Sequence, residues 1–409
     1  MKVLLVNKFH YMKGGSERYY FTLAELLRSH GHEVSFFAMQ DENNIPCPQE
    51  KYFVSNASVG GGLKSKLNMI LHIAYSKEAY KKMTALLNAE TPDLVILNLV
   101  HKQITCSVID AIKDFDKNIP IFWTMHDLIA VCPSYTMLDG ENKICEKCLD
   151  GDFNHCIENR CIKGSKLMSI LSAYEAKTIR KKGWYNQVDL FICPSEFYQR
   201  KLQKAHFTKA PVVCIRNPLA ADTKYEVNTQ DKGYILYFGR LAREKGVKTL
   251  MEAMVGMSVP LNILGTGPTE EELKKYAVEK QLDNVSFKGF QQGEALTDYV
   301  RNARCVVLPS EWYENGPYSA MEAMSFGKPL IVSSYGGLPE LVEEGKNGFV
   351  FRNAEELKAA IERMIALPSS EYEELCNNSC EMAKAMFDGN GYVDQIERYY
   401  RKIKEGEQI

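Results

Sequence analysis

At 409 residues the chain exceeds one ordinary core, and at roughly 150 residues per domain it is expected to hold two or three. Lysine plus arginine number 50 against 52 aspartates and glutamates, so no overall field draws the chain to nucleic acid, and an anionic ligand needs a local site. No apolar stretch approaches the ~20 residues that span a bilayer, and a cytoplasmic location is expected.

The opening KVLLVN is too short for a signal peptide and reads as a buried first strand. In HYMKGGSERYY, Gly14 and Gly15 then separate that strand from a helix. Such glycines can let backbone approach a ligand, and an ordinary tight turn explains them equally well. EVSFFAM, DLVILNLV, IPIFWTM, VDLFIC and PVVCI complete the strands of a first unit. Their near-continuous apolar, β-branched character is that of parallel strands covered on both faces. His126 follows IPIFWTM directly, which puts it at a carboxyl strand end; a packed or capping histidine is the plainer reading.

Between Cys132 and Ser165 lies a polar insert with the spacing C-x2-C-x7-C-x4-C, formed by Cys145, Cys148, Cys156 and Cys161. With no apolar core of its own, the insert needs an organiser, and four thiolates on a structural zinc would supply about 10 kcal/mol. An iron–sulfur cluster, disulfides and unpaired thiols are the alternatives. The helix KLMSILSAYEAKTIRKKG that follows is basic and amphipathic. It suits either packing on its own domain or peripheral contact with an anionic membrane face.

Near Arg216-Asn217-Pro218 the pattern breaks, and YILYFG, PLNILG, NVSFKG, CVVLP, PLIVSS and GFVF open a second strand–helix alternation. The expected fold is α/β: two Rossmann-like, doubly wound domains facing across a cleft, with helices at the C-terminal end. The expected spans are 1–216 for the acceptor domain, with the cysteine insert at about 132–165, 217–385 for the donor domain, and 386–409 for a helix packing back on the first.

Chemistry concentrates in the second half. Gly239-Arg240 and Lys245-Gly246 follow a strand and precede a helix, an arrangement suited to a diphosphate. Gly265 and Gly267 close the next strand, a weak signal on their own. In PSEWYENGPYSAMEAMSFG, Glu314 stays on a loop while Asn315-Gly316-Pro317 break the chain. Tyr318 then opens a helix that carries Glu322 one turn in, so a helix start faces a phosphate and two carboxylates reach sugar hydroxyls.

Arg240 with Lys245, the spaced Glu314 and Glu322, the GGLPELV turn at Gly336-Gly337 and the Gly14-Gly15 loop together resemble family four of the retaining glycosyltransferases, of GT-B fold. The resemblance covers essentially the whole chain. It implies that Arg240 and Lys245 bind the donor diphosphate, with Gly239, Gly265, Gly316, Pro317 and Tyr318 in the donor site. It further implies that Glu322 holds the ribose, that Glu314 and His126 lie beside the donor sugar, and that Gly14 and Gly15 cover donor and acceptor. The sequence departs from it in one place, reading Asn-Gly-Pro-Tyr where many members have Gly-Phe-Gly.

The implied reaction moves a sugar from a UDP- or GDP-linked donor to a saccharide or lipid-linked acceptor in polysaccharide assembly. Anomeric configuration is retained, no catalytic cofactor is needed, and no nucleic acid takes part. A sugar-nucleotide epimerase or hydrolase, and a non-catalytic sugar-nucleotide-binding scaffold, are the alternatives.

Overall fold

The computed structural model describes residues 1–56 and 73–409. The chain divides into two compact units, one formed by 1–221 with 389–409 and the other by 222–388. Each of the twelve apolar runs is a strand, and together they form two six-stranded sheets. In the first unit these are β1 (Lys2–Val6), β2 (Glu33–Phe37), β3 (Leu94–Leu97), β4 (Ile121–Thr124), β5 (Leu190–Cys193) and β6 (Val212–Cys214). The second contains β7 (Ile235–Phe238), β8 (Leu261–Leu264), β9 (Val285–Gly289), β10 (Cys305–Leu308), β11 (Leu330–Ser333) and β12 (Gly348–Phe351).

Every strand pairing is parallel, with registers such as Val3 opposite both Val34 and Leu94. Helices cover the sheet faces, so β3, β4, β5 and β10 are buried along their whole length; this is why their sequences do not alternate.

The strand orders locate the sites. The first sheet runs β2-β1-β3-β4-β5-β6, and the second β12-β11-β10-β7-β8-β9. In each, successive strands are added first on one side and then on the other. The switch falls between β1 and β3 in the first sheet and between β7 and β10 in the second. The loops leaving such a pair diverge and open a crevice beyond the strand ends. In the second unit those loops carry Arg240, Lys245 and Glu314; in the first they carry Gly14 and the segment after Asn98.

The helix Gly389–Glu405 belongs to the first unit although it follows the second in the chain. Tyr392 shares a 2.6 Å hydroxyl contact with Tyr19, whose hydroxyl also meets Thr124 at 3.0 Å. A Cβ on Gly389 would fall 2.6 Å from Leu26 and 2.8 Å from the Leu219 carbonyl oxygen, so only glycine lets the helix start this close.

Candidate functional site

In the second unit, the turn after β7 is locked against its neighbours by glycines. A Cβ on Gly246 would lie 1.8 Å from the Pro309 carbonyl oxygen, so Lys245 is carried directly against the end of β10. A Cβ on Gly265 would fall 1.9 Å from the Gly239 carbonyl oxygen, and one on Gly267 2.1 Å from that of Leu241. Gly265 is thereby accounted for by the close approach of the β7 and β8 loops. Arg240 is exposed on that turn, and its guanidinium has no ion-pair partner among the described residues.

Lys245 Nζ lies 2.6 Å from Glu314 Oε1 and 5.2 Å from the centre of the Trp312 ring. The same carboxylate oxygen accepts the Ser310 hydroxyl at 2.7 Å. Burial pushes the Glu314 carboxyl upward, but the Lys245 charge and these hydrogen bonds outweigh it and hold it below its ordinary value of 4.5. Glu314 is only 7% exposed. With one oxygen shared between Lys245 and Ser310, it is built to aim Lys245.

The loop bearing Glu314 is pinned from behind. The Gly337 N–H donates to the Glu314 carbonyl at 2.7 Å, and Ser333 Oγ donates to the Ser310 carbonyl at 2.6 Å. Beyond Glu314, the Asn315 side chain accepts the Gly316 N–H. Pro317 precedes the helix Tyr318–Ser325 in an extended conformation rather than lying inside its first turn. Tyr318 is buried, and Glu322 is half-buried at the fifth helical position.

In the first unit, His126 Nε2 meets Asn98 Oδ1 at 2.9 Å, and its ring stands edge-on to Tyr19 at 4.7 Å. The Asn98 amide nitrogen is spent on the Val6 carbonyl, at 3.2 Å, so its oxygen is the acceptor. His126 therefore carries its proton on Nε2 and its lone pair on Nδ1. Burial drops its pKa to about 3. The ring is neutral in ordinary buffers, suited to hydrogen bonding rather than to moving a proton.

Gly14 adopts an extended conformation at the start of the helix Gly15–Ser29. Among the described residues, a Cβ there would meet only Glu17 Oε2, at an ordinary 3.6 Å. Unlike Gly265, Gly14 is not required by packing.

The cysteine insert differs from its sequence reading in having a small core. Cys148, Phe153 and Cys156 pack with Ala173 and Ala176 of the helix Lys166–Lys182, flanked by Ile157, Cys161 and Ile162. Burial and the neighbouring Cys132, Cys161 and Cys145 push the Cys148 thiol up to about 12. Among the described residues, no three or more His, Cys, Asp or Glu side chains are placed to hold a metal ion. If zinc organises the insert, protein purified without added metal will carry about one equivalent and lose stability to a chelator; less than about a tenth of an equivalent by elemental analysis removes zinc from the account. On the same helix Leu167, Ile170 and Tyr174 are exposed. Among the described residues, no helix is long and apolar enough to cross a membrane.

Two family models cover nearly the whole chain. One, described as Glycosyltransferase Family 4, matches residues 13–222; the other, Glycosyl transferases group 1, matches 221–384. The chain belongs to glycosyltransferase family 4.

This family-4 chain is 30% identical over 192 residues to an alpha-D-kanosaminyltransferase of Streptomyces kanamyceticus. The match covers 45% of the chain and spans about half, 49%, of that relative. The fold is that of a sucrose-phosphate synthase from Thermosynechococcus elongatus, with TM-score 0.72, 20% identity, and 99% and 100% of the two chains covered. Anabaena HepE, solved with UDP and glucose, matches at TM-score 0.67 and 19% identity, over 98% of this chain and 100% of that one. The two parallel six-stranded sheets with flanking helices are those of a GT-B glycosyltransferase.

Two site features escaped the sequence reading. Asn98 orients His126 and Ser310 holds Glu314, yet each is a lone polar residue at the end of an apolar strand. An asparagine closing VILN, where the chain leaves a buried sheet, was the available signal.

Proposed function

We propose that the chain transfers a sugar from a nucleoside-diphosphate sugar to a saccharide or lipid-linked acceptor, with retention of anomeric configuration. The observation that carries this is the Lys245–Glu314 pair at the β7/β10 switch point, with Arg240 exposed on the same turn. As the anomeric bond breaks, negative charge grows on the departing diphosphate. A cation already fixed in place stabilises that charge without reorganising, and each such contact is worth about 3 kcal/mol at the transition state. An ammonium has three N–H bonds, and Glu314 engages one side of it, leaving donors for phosphate oxygens. The half-buried carboxylate of Glu322 suits ribose hydroxyls. His126, neutral because burial lowers its pKa to about 3, suits hydrogen bonding beside a sugar rather than proton transfer. UDP is bound by the HepE relative, and a UDP-linked donor is the first to try.

Thermal unfolding in the presence of UDP-, GDP- and ADP-sugars tests the reading. One of them should raise the melting temperature, and Arg240→Ala and Glu322→Ala should abolish that rise. Gly14→Ala should melt like the parent protein without ligand yet show a weakened rise, because the fold leaves room for the methyl and a ligand at backbone distance does not. If no sugar nucleotide stabilises the protein, transferase activity is the wrong reading. Transfer itself is then read by identifying the product formed with the stabilising donor, retention appearing in the configuration of the new bond.

A further inference from the structure

The first unit gathers cations at its own switch point. Lys8 and Lys13 lie on the loop after β1, and Lys102 on the loop after β3. Lys8 Nζ is 5.1 Å and Lys13 Nζ 3.6 Å from the centre of the same ring, that of Phe9. Lys102 Nζ stands 5.8 Å from the Tyr135 ring. Among the described residues, none of the three ammoniums has an ion-pair partner.

The carboxylates that face them are otherwise engaged. Glu175 accepts the backbone N–H of Lys102 at 2.8 Å, and Glu17 accepts Asn7 Nδ2 at 3.3 Å and the Ser16 hydroxyl at 3.1 Å. Asp127 accepts the Ile129 N–H at 3.0 Å.

Two further facts mark the cluster as more than a solvated face. Lys102 and Thr105 both hold left-handed backbone, at φ 74° and 68°. That conformation is costly for a lysine and more so for a β-branched threonine, and such strain concentrates where a loop must present a group to a ligand. Lys8 is also crowded: burial, then Lys102 and Lys13, lower its ammonium to about 8. Burial raises Glu175 to about 7, so the acid nearest the cluster is only partly ionised in neutral buffer. An incoming anion favours the charged form of Lys8 and disfavours that of Glu175, so the cluster becomes more positive as it fills.

We propose that Lys8, Lys13 and Lys102 hold a phosphoryl group carried by the acceptor. The choice of phosphoryl follows from the residue type. Three lysines act as point charges that converge on a tetrahedral, multiply charged oxyanion, whereas a planar carboxylate is matched by the arginine fork, which the cluster lacks. Phe9, Tyr11 and Tyr135 interleave with the cations and offer apolar faces for the sugar or chain to which the phosphoryl is attached. The inference rests on the transferase reading, since it assigns this unit to the acceptor.

The full chain is saturated with the nucleoside diphosphate of the stabilising donor and titrated calorimetrically with glucose 1-phosphate, geranyl diphosphate and methyl glucoside. At least one phosphoryl compound should bind about tenfold more tightly than methyl glucoside, and which one shows whether the group sits on a sugar or on a lipid chain. Lys13→Gln and Lys102→Gln should each erode that preference by about threefold while leaving nucleotide affinity unchanged. Lys13 is exposed, so its variant should fold normally whatever becomes of Lys102.

Equal affinity for the three probes overturns the proposal, as does a preference that survives both substitutions. Loss of nucleotide affinity in the variants also overturns it, by assigning the lysines to the donor. If the parent protein binds no nucleotide, the transferase reading fails on its own, and the same probes titrated without nucleotide still decide what the lysines hold.

Discussion

Lys245→Ala should lower turnover by about 10²- to 10³-fold and change the way stability responds to acid. The first effect is the loss of a fixed cation from the charge that develops on the leaving diphosphate. The second follows from Glu314. In the parent protein the Glu314 carboxyl lies below its ordinary 4.5, because Lys245 and its hydrogen bonds outweigh burial. Stabilisation from the pair is therefore complete above about pH 4.5 and is lost as pH falls through the lower folded value.

Without Lys245, burial is left opposed only by hydrogen bonds, and the carboxyl moves above 4.5. The contribution of Glu314 then reverses: it is most favourable in acid and is lost as pH rises through the raised value. Near neutrality the variant should be about 2 kcal/mol less stable, a figure kept modest because the Lys245 side chain is 24% exposed. Denaturant unfolding at about pH 4 and pH 7 reads the difference. A variant whose loss is the same at both pH values would mean that Lys245 does not set the charge state of Glu314.

Gly336→Ala should cost about 3 kcal/mol of stability and reduce transfer at least about tenfold. Gly336 sits at φ 69°, and an added Cβ would lie 2.3 Å from the Glu314 carbonyl oxygen, 2.5 Å from its nitrogen and 2.8 Å from the Tyr313 carbonyl carbon. All three are backbone atoms, so no side-chain rotation relieves the contact, and the loop carrying Glu314 has to move. Lys245 then loses the partner that aims it.

Gly345→Ala supplies the control. Its φ is 77°, but the nearest atom among the described residues is Arg363 Nη2, at 3.7 Å. That change should cost about 1 kcal/mol, from the left-handed backbone alone, and leave transfer intact. Equal losses in the two variants would falsify the view that Gly336 matters through Glu314.

What could be read from the sequence divides along the range of the interactions involved. Twelve apolar runs became twelve strands because a buried parallel strand carries its signature within itself. Lys245 and Glu314, 69 residues apart, were legible as separate members of a family pattern, but their direct contact was not. Nor could sequence distinguish the glycines. Gly265 is required because another loop's carbonyl occupies its Cβ position, whereas a Cβ on Gly14 would make only an ordinary contact with Glu17. Both are simply glycines after a strand when read in order. The cysteines were read as needing an outside organiser because their insert is polar. Phe153, with Ala173 and Ala176 on a helix beyond the insert, supplies the core that was not apparent.

The Tyr19–Tyr392 contact joins residues 373 positions apart. Synthesis runs from the amino end, so the earliest-emerging sheet must wait, one helix short, while the entire second unit is translated. During that interval Tyr19 and Leu26 lack their covering layer. Folding of this half is thus tied to the completion of the other, and a stall in translation between them leaves an apolar flank open to the wrong partner.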